Sequence, residues 1–280
     1  MISDNDQHQN REIIFFLLRL WFGYTMMGNG RFIFDRSNED FFLGWFGNDL
    51  HFPFPVLMYY LAKGSEFFGG LLIFLGFATK IAGSFVAFVM MVATLTANRH
   101  HLYSGDGSIT ISFFLMAVMF IYYGAGKWSV DRIISKNTRQ RFPELPLIVV
   151  RFWFSSLLLY TGLQFGGKDA LYVIFAWFSD KAGLSSNIWL TGLAKGFEIV
   201  CGLSILSGFF TRPIMGTMTI IMFAISLIAY LGIIDVGNAN QAYVHIFFWF
   251  SLLLLYFFPA NAQAWQISLP LRKYFVQSKK

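Results

Sequence analysis

A single cysteine, Cys201, in 280 residues excludes an intramolecular disulfide and any centre built on several thiolates, and leaves the redox compartment open. Charge is scarce as well. Only 13% of the residues are Asp, Glu, Lys or Arg, against 56% hydrophobic, and the mean hydropathy is +0.56, a balance that soluble globular domains do not show. The net charge of +6 does not gather into a soluble basic patch; the basic residues lie between apolar runs, which excludes nucleic acid as the natural partner. The N-terminus, MISDNDQHQN, has no basic stretch followed by a cleavage site, so the first apolar run is expected to stay in place as an anchor. The Gly-containing pieces GNGR and FGGK follow no strand and lack P-loop spacing, and no Ser-His-Asp arrangement, CxxCH, HExxH or low-complexity tract occurs.

What is abundant is apolar and aromatic: 35 Phe and eight Trp suit a lipid-facing chain with aromatic belts. Apolar runs fall at 13–30, 56–78, 81–98, 109–126, 146–164, 188–209, 213–233 and 243–260. Each approaches the ~20 residues a spanning helix needs. A spanning segment must satisfy its own backbone hydrogen bonds, and the alternation of barrel strands is absent, so helices are expected. The predicted fold class is all-α integral membrane, with eight transmembrane helices.

The chain also repeats itself. Residues 61–80, LAKGSEFFGGLLIFLGFATK, are answered by 193–212, LAKGFEIVCGLSILSGFFTR, at an offset of 132. The same offset pairs Arg19-Leu-Trp-Phe22 with Arg151-Phe-Trp-Phe154. One register held over this distance marks a duplication. Four helices per copy is an even number, which predicts two parallel four-helix repeats related by an axis along the membrane normal. The organisation read from this is a polar tail (1–11), a first repeat (12–135), a basic linker (136–146), a second repeat (147–270) and a basic tail (271–280).

Orientation follows from Lys and Arg. Of the 21, five fall on one side (Arg31, Arg36, Arg99, Lys168 and Lys181), four lie within spans (Arg19, Lys63, Arg151 and Lys195), and the other twelve share the opposite side. The positive-inside rule then places both termini and the linker in the cytoplasm. The outer segments 31–55 and 165–187, rich in aromatics and Gly, are expected to lie along the interface as short amphipathic pieces.

Ionisable groups inside a span are expensive and are functional candidates. Helical side chains lean toward the N-terminus. Arg19 therefore leans toward the cytoplasm from about 12 Å deep and is expected to snorkel there. Lys63, on a helix running the other way, leans outward. Glu66 sits about 21 Å from the inner surface, counting from Lys80, and is too short to reach water. It needs a partner, a proton or a cavity. Lys63 is three residues earlier on the same face, so a Lys63–Glu66 pair is expected, with Lys195–Glu198 repeating it and a contact from Arg19 to Glu66 ranked second. Two readings of Arg19, Lys63, Glu66, Arg151, Lys195 and Glu198 stay open. The charges hold helix against helix, or they line a quinone, proton or substrate site. Gly69, Gly70 and Gly76 read as packing glycines rather than points of ligand approach.

Four of the five histidines, His51, His100, His101 and His245, fall on the expected outer side. Imidazoles at one depth suit a haem or a metal, with His100, His101 and His245 the candidates, but no motif supports either. Adjacent histidines point in different directions, so interfacial histidines without a special role are the favoured reading. Asp106 and Asp235 read as solvated loop residues.

These residues together resemble the DoxX family of small four-helix membrane proteins. The resemblance rests on Arg19, on Glu66 followed by Gly69-Gly70 and the GFATK ending (76–80), and on the close Gly124-Ala-Gly126-Lys-Trp-Ser129-Val-Asp131. It covers about 12–135. The second copy matches through Arg151, Glu198, Gly202 and GFFTR (208–212), then departs where FFPANAQAW replaces the Gly/Ser/Asp close. The resemblance implies association with a membrane thiosulfate:quinone oxidoreductase, or a partner or assembly role for another redox enzyme. The leading expectation is thus a quinone-interacting or anchoring subunit in a bacterial inner membrane, at most one subunit of an oxidoreductase; its cofactor is left unassigned, with quinone the candidate and haem disfavoured. The alternatives are a non-catalytic scaffold or assembly factor, and a small-molecule transporter built on the two repeats.

Overall fold

The computed structural model of the chain describes residues 4–135, 144–164, 188–208, 211–231 and 238–257. Among these residues the only regular elements are helices. They divide into two compact units, Met1–Val149 and Val150–Lys280.

In the first unit, α1 (Asp4–Gly30) leads through two short 3-10 turns (Arg31–Phe34 and Arg36–Asn38) to α2 (Glu39–Gly44) and a single wide turn (Trp45–Asp49). Then come α3 (Pro55–Leu75), α4 (Thr79–Leu95), α5 (Gly105–Tyr123) and the short α6 (Val130–Ile134). The second unit contains most of α7 (Glu144–Leu163), followed by α8 (Ile188–Ser207), α9 (Thr211–Tyr230) and α10 (Asn238–Phe257). Among the described residues each of the eight apolar runs coincides over most of its length with a helix. Two helices begin inside segments read as lying outside the repeats: α1 at Asp4, inside the segment read as a tail, and α7 at Glu144, inside the segment read as a linker.

Local chemistry fixes the helix ends. Pro55 opens α3, where a missing N–H costs nothing. Gly76 closes it at φ 69°, its N–H donating to Ile73 and that of Phe77 to Leu72, the paired bonds of a Schellman stop. Within the first unit α1 packs along α3, α4 along α5, and α3 against α4; in the second, α9 lies along α10 and against α8.

Small residues set how closely the first two long helices of each unit approach. A Cβ added at Gly70 would lie 2.7 Å from the Met26 Cβ and 2.8 Å from the Gly23 carbonyl oxygen. At the position of Gly23 the second unit has Ser155, and a Cβ on Gly202 would lie 3.1 Å from the Ser155 oxygen. Gly30 meets the Phe67 backbone, and Gly162 meets that of Ile199 at 3.0 Å. Both pairs are separated by the repeat offset of 132, so the duplication holds in contacts as well as in letters. Phe22 and Phe154 also correspond: Phe22 packs on Phe113 and Phe120, Phe154 on Phe247 and Phe250.

Large apolar side chains cover the outside. Phe85, Phe88, Leu95, Ile220, Phe223 and Leu227 are exposed, an arrangement water would penalise and lipid would not. Among the described residues two helical stretches, Gly105–Tyr123 and Leu145–Leu163, are long and apolar enough to cross a membrane; Thr79–Leu95, Arg212–Ile228 and Val244–Phe257 are apolar but shorter.

Candidate functional site

Midway along α3, the Lys63 Nζ donates to the Glu66 Oε2 at 2.9 Å. The spacing of three residues on one helix puts both on one face, so the pair forms without help from another element. Its surroundings come from the segment between α1 and α3. Asp35 organises that segment by accepting from the Ser37 N–H at 3.0 Å, the Ser37 hydroxyl at 2.6 Å and the Asn38 amide at 2.6 Å. These bonds hold the Asp35 carboxyl below the usual carboxylate range. The Tyr59 hydroxyl donates to the Phe32 carbonyl at 2.6 Å and the Tyr60 hydroxyl to Glu39 at 2.9 Å, which ties the segment down onto α3. The result is an aromatic roof. The Lys63 Nζ lies 5.0 Å from the centre of the Phe42 ring and 5.9 Å from that of Phe32, and Phe42 stacks on Tyr59 at 5.6 Å.

The side chains of Lys63 and Glu66 keep 13% and 10% exposure beneath this roof. Lys63 therefore does not snorkel freely outward; aromatic faces hold its ammonium beside the carboxylate. The corresponding pair on α8 is longer but more deeply buried. The Lys195 Nζ lies 3.5 Å from the Glu198 Oε2, the two side chains are 0% and 2% exposed, and Lys195 also donates to the Thr161 carbonyl of α7 at 2.8 Å.

Arg19 corrects the expectation of snorkelling. It leans in the predicted direction but is only 2% exposed. Its guanidinium donates to the Ala125 carbonyl and, at 2.5 Å, to that of Trp128. The reason is that residues 124–129 fold back under α1 and offer main-chain oxygens where the side chain would otherwise seek water. Arg19 thus meets neither water nor Glu66. The same closing segment secures α3 and α4. The Asp131 carboxylate accepts from the Ala78 and Thr79 N–H groups at 2.7 and 3.1 Å, capping the start of α4, while its own N–H donates to the Gly76 carbonyl at 2.9 Å. Ser129 caps α6 by accepting from the Arg132 N–H. Gly76 has to be glycine on two counts, its positive φ and a Cβ position 2.6 Å from the Ser129 Cβ and 2.7 Å from the guanidinium. Glu12, buried on α1, accepts from the Lys127 N–H at 3.2 Å. Arg19, Gly76 and the Gly124–Asp131 close form one latch.

In the second unit Arg151 donates to the Ile205 and Leu206 carbonyls at 2.6 and 2.9 Å, at the end of α8. FFPANAQAW lies almost wholly outside the described residues.

Two features escaped the sequence reading: the aromatic roof over Lys63 and the role of Glu12. A concentration of Phe and Tyr between 32 and 60 was the available signal for the first, and an acidic residue at the mouth of an apolar run for the second. As for the histidines, His100 accepts from the Arg99 Nε at 2.9 Å, and among the described residues no three His, Cys, Asp or Glu gather into a group that could hold a metal. His100 and His101 belong to one unit and His245 to the other.

Comparison with known proteins gives one result. A family model described as DoxX matches residues 14–99 and again residues 146–231, together more than half of the chain and offset by the 132 residues of the internal repeat. Neither the curated proteins nor the solved structures yield a match. With its apolar exterior, its repeated glycine contacts and the family model matched in both copies, the chain belongs to the DoxX family, as a membrane protein carrying the family unit twice in tandem.

Proposed function

We propose that this protein is a quinone-interacting or anchoring subunit that supports a membrane redox enzyme, with eight transmembrane helices in two parallel repeats and both termini on the cytoplasmic face of a bacterial inner membrane. The five organisational segments read from the sequence belong to the same proposal. The observation that carries it is the Lys63–Glu66 pair under its aromatic roof. An ammonium beside rings and a carboxylate suits a flat carbonyl-bearing headgroup, whose oxygens accept hydrogen bonds and whose reduction consumes protons. Lys63 would donate to a quinone carbonyl and Glu66 would hold a proton for it. The electrons would come from the partner enzyme.

A second reading has its own support. The sealed Lys195–Glu198 pair and the Arg19 latch support a reading of the charges as fasteners, as in a non-catalytic scaffold or assembly factor. Purification of the tagged full chain from native membranes in mild detergent, with mass spectrometry of the eluate, separates the readings. A stoichiometric redox enzyme together with bound quinone is the expected result. A stable partner without quinone would favour the scaffold, and a chain that elutes alone would contradict both.

A further inference from the structure

The two Lys–Glu pairs occupy equivalent positions in the duplicated units, yet their hydrogen bonding differs. We propose that ligand binding is confined to the first unit: Lys63 and Glu66, beneath Phe32, Phe42 and Tyr59, take a flat conjugated headgroup with an acceptor oxygen, whereas Lys195 and Glu198 form a closed lock that takes none. The chemical class of the ligand rests on the quinone reading above; the confinement to one unit does not.

An ammonium has three N–H groups. Among the described residues the Lys63 ammonium makes one hydrogen bond, to the Glu66 Oε2, and its remaining neighbours are ring faces at 5.0 and 5.9 Å. A ring face attracts the cation but uses up none of its donors directionally, so Lys63 keeps hydrogen-bonding capacity beside an aromatic surface. Lys195 spends donors at home, on Glu198 and on the Thr161 carbonyl. The offset places Asn29 opposite Thr161 in the first unit, and among the described residues Lys63 makes no hydrogen bond to it, so the tie from lysine to the neighbouring helix is found in the second pair.

Exposure points the same way: 13% and 10% for the first pair, 0% and 2% for the second. A buried, fully satisfied ion pair fixes structure and offers nothing to an incoming molecule. A less enclosed pair next to stacked rings can give a hydrogen bond from Lys63, accept a proton at Glu66 and place a conjugated ring against Phe42.

The test uses the full chain in native membranes at mildly acid pH. An apolar carbodiimide, dicyclohexylcarbodiimide, adds to protonated carboxyls that it can reach, and peptide mass spectrometry locates the adduct. The expected result is an adduct on Glu66 with none on Glu198, and loss of the Glu66 adduct when duroquinone is added first. Equal labelling of Glu198 would overturn the confinement, as would failure to label Glu66. Labelling of Glu66 that duroquinone does not protect would overturn the ligand class while leaving the confinement standing. A Lys63→Met chain, which has no donor at this position, separates the roles further: the adduct should persist and the protection should disappear, and retained protection would contradict a hydrogen bond from Lys63 to the ligand.

Discussion

At the level of single residues, burial decides what an intramembrane charge can do. Lys195 and Glu198 are sealed, so removing the cation strands a carboxylate in the core, an imbalance that typically costs about 3–5 kcal/mol. Lys63 and Glu66 keep 13% and 10% side-chain exposure, so their pair is less completely enclosed and the same loss is expected to cost less. Lys195→Met is therefore expected to lower the thermal unfolding temperature in detergent well below that of the parent, and Lys63→Met to lower it by much less. Equal effects would mean the two sites are equally closed. The pairing itself was legible in the sequence, because a spacing of three residues on a helix fixes which side chains meet. The destination of Arg19 was not. Tilt predicts its direction, but its acceptors lie more than 100 residues away in the chain, on a segment whose fold is decided by tertiary contacts.

At the level of elements, two segments outside the long helices organise the first unit. The close Gly124–Asp131 was recognisable as a pattern, and the structure supplies its reason: Asp131 caps α4, Ser129 caps α6 and the carbonyls take Arg19. Asp131→Ala should lose about 0.5–2 kcal/mol, as caps usually do, with amide hydrogen exchange accelerating first at the start of α4. An exchange pattern changed only in α6 would contradict the capping role. The roof segment was predicted as short interfacial pieces, and short pieces form, but hydropathy alone could not reveal that Phe32 and Phe42 turn back onto Lys63. Its stability should depend on pH through Asp35. The folded carboxyl titrates below its ordinary value, so its contribution is present above the ordinary carboxylate range and is lost as pH falls through the folded value. A spin label at Phe41→Cys should keep constant mobility from neutral pH down to that range and loosen only below it. Loosening near neutrality would contradict this account.

At the level of the whole molecule, the hydropathy pattern located every long helix because the membrane demands long apolar runs, and the repeat was visible because glycine contacts constrain the same positions in both copies. The eight-span topology itself is a proposal, and it places 31–55 and 124–135 on opposite faces. In a Cys201→Ser background, Asp40→Cys should react with an impermeant maleimide from the periplasmic side, and Ser135→Cys only after the membrane is broken. Reaction of both from one side would contradict the topology.

The central claim is that the Lys63–Glu66 pair serves a ligand and not merely the fold. The most direct test measures co-purified quinone and unfolding temperature on the same preparations of the parent protein and of Glu66→Gln, in which the amide oxygen still accepts from Lys63. The account predicts a nearly unchanged unfolding temperature and a loss of bound quinone. Quinone retained at the parent level, or lost only in step with a falling unfolding temperature, would contradict it.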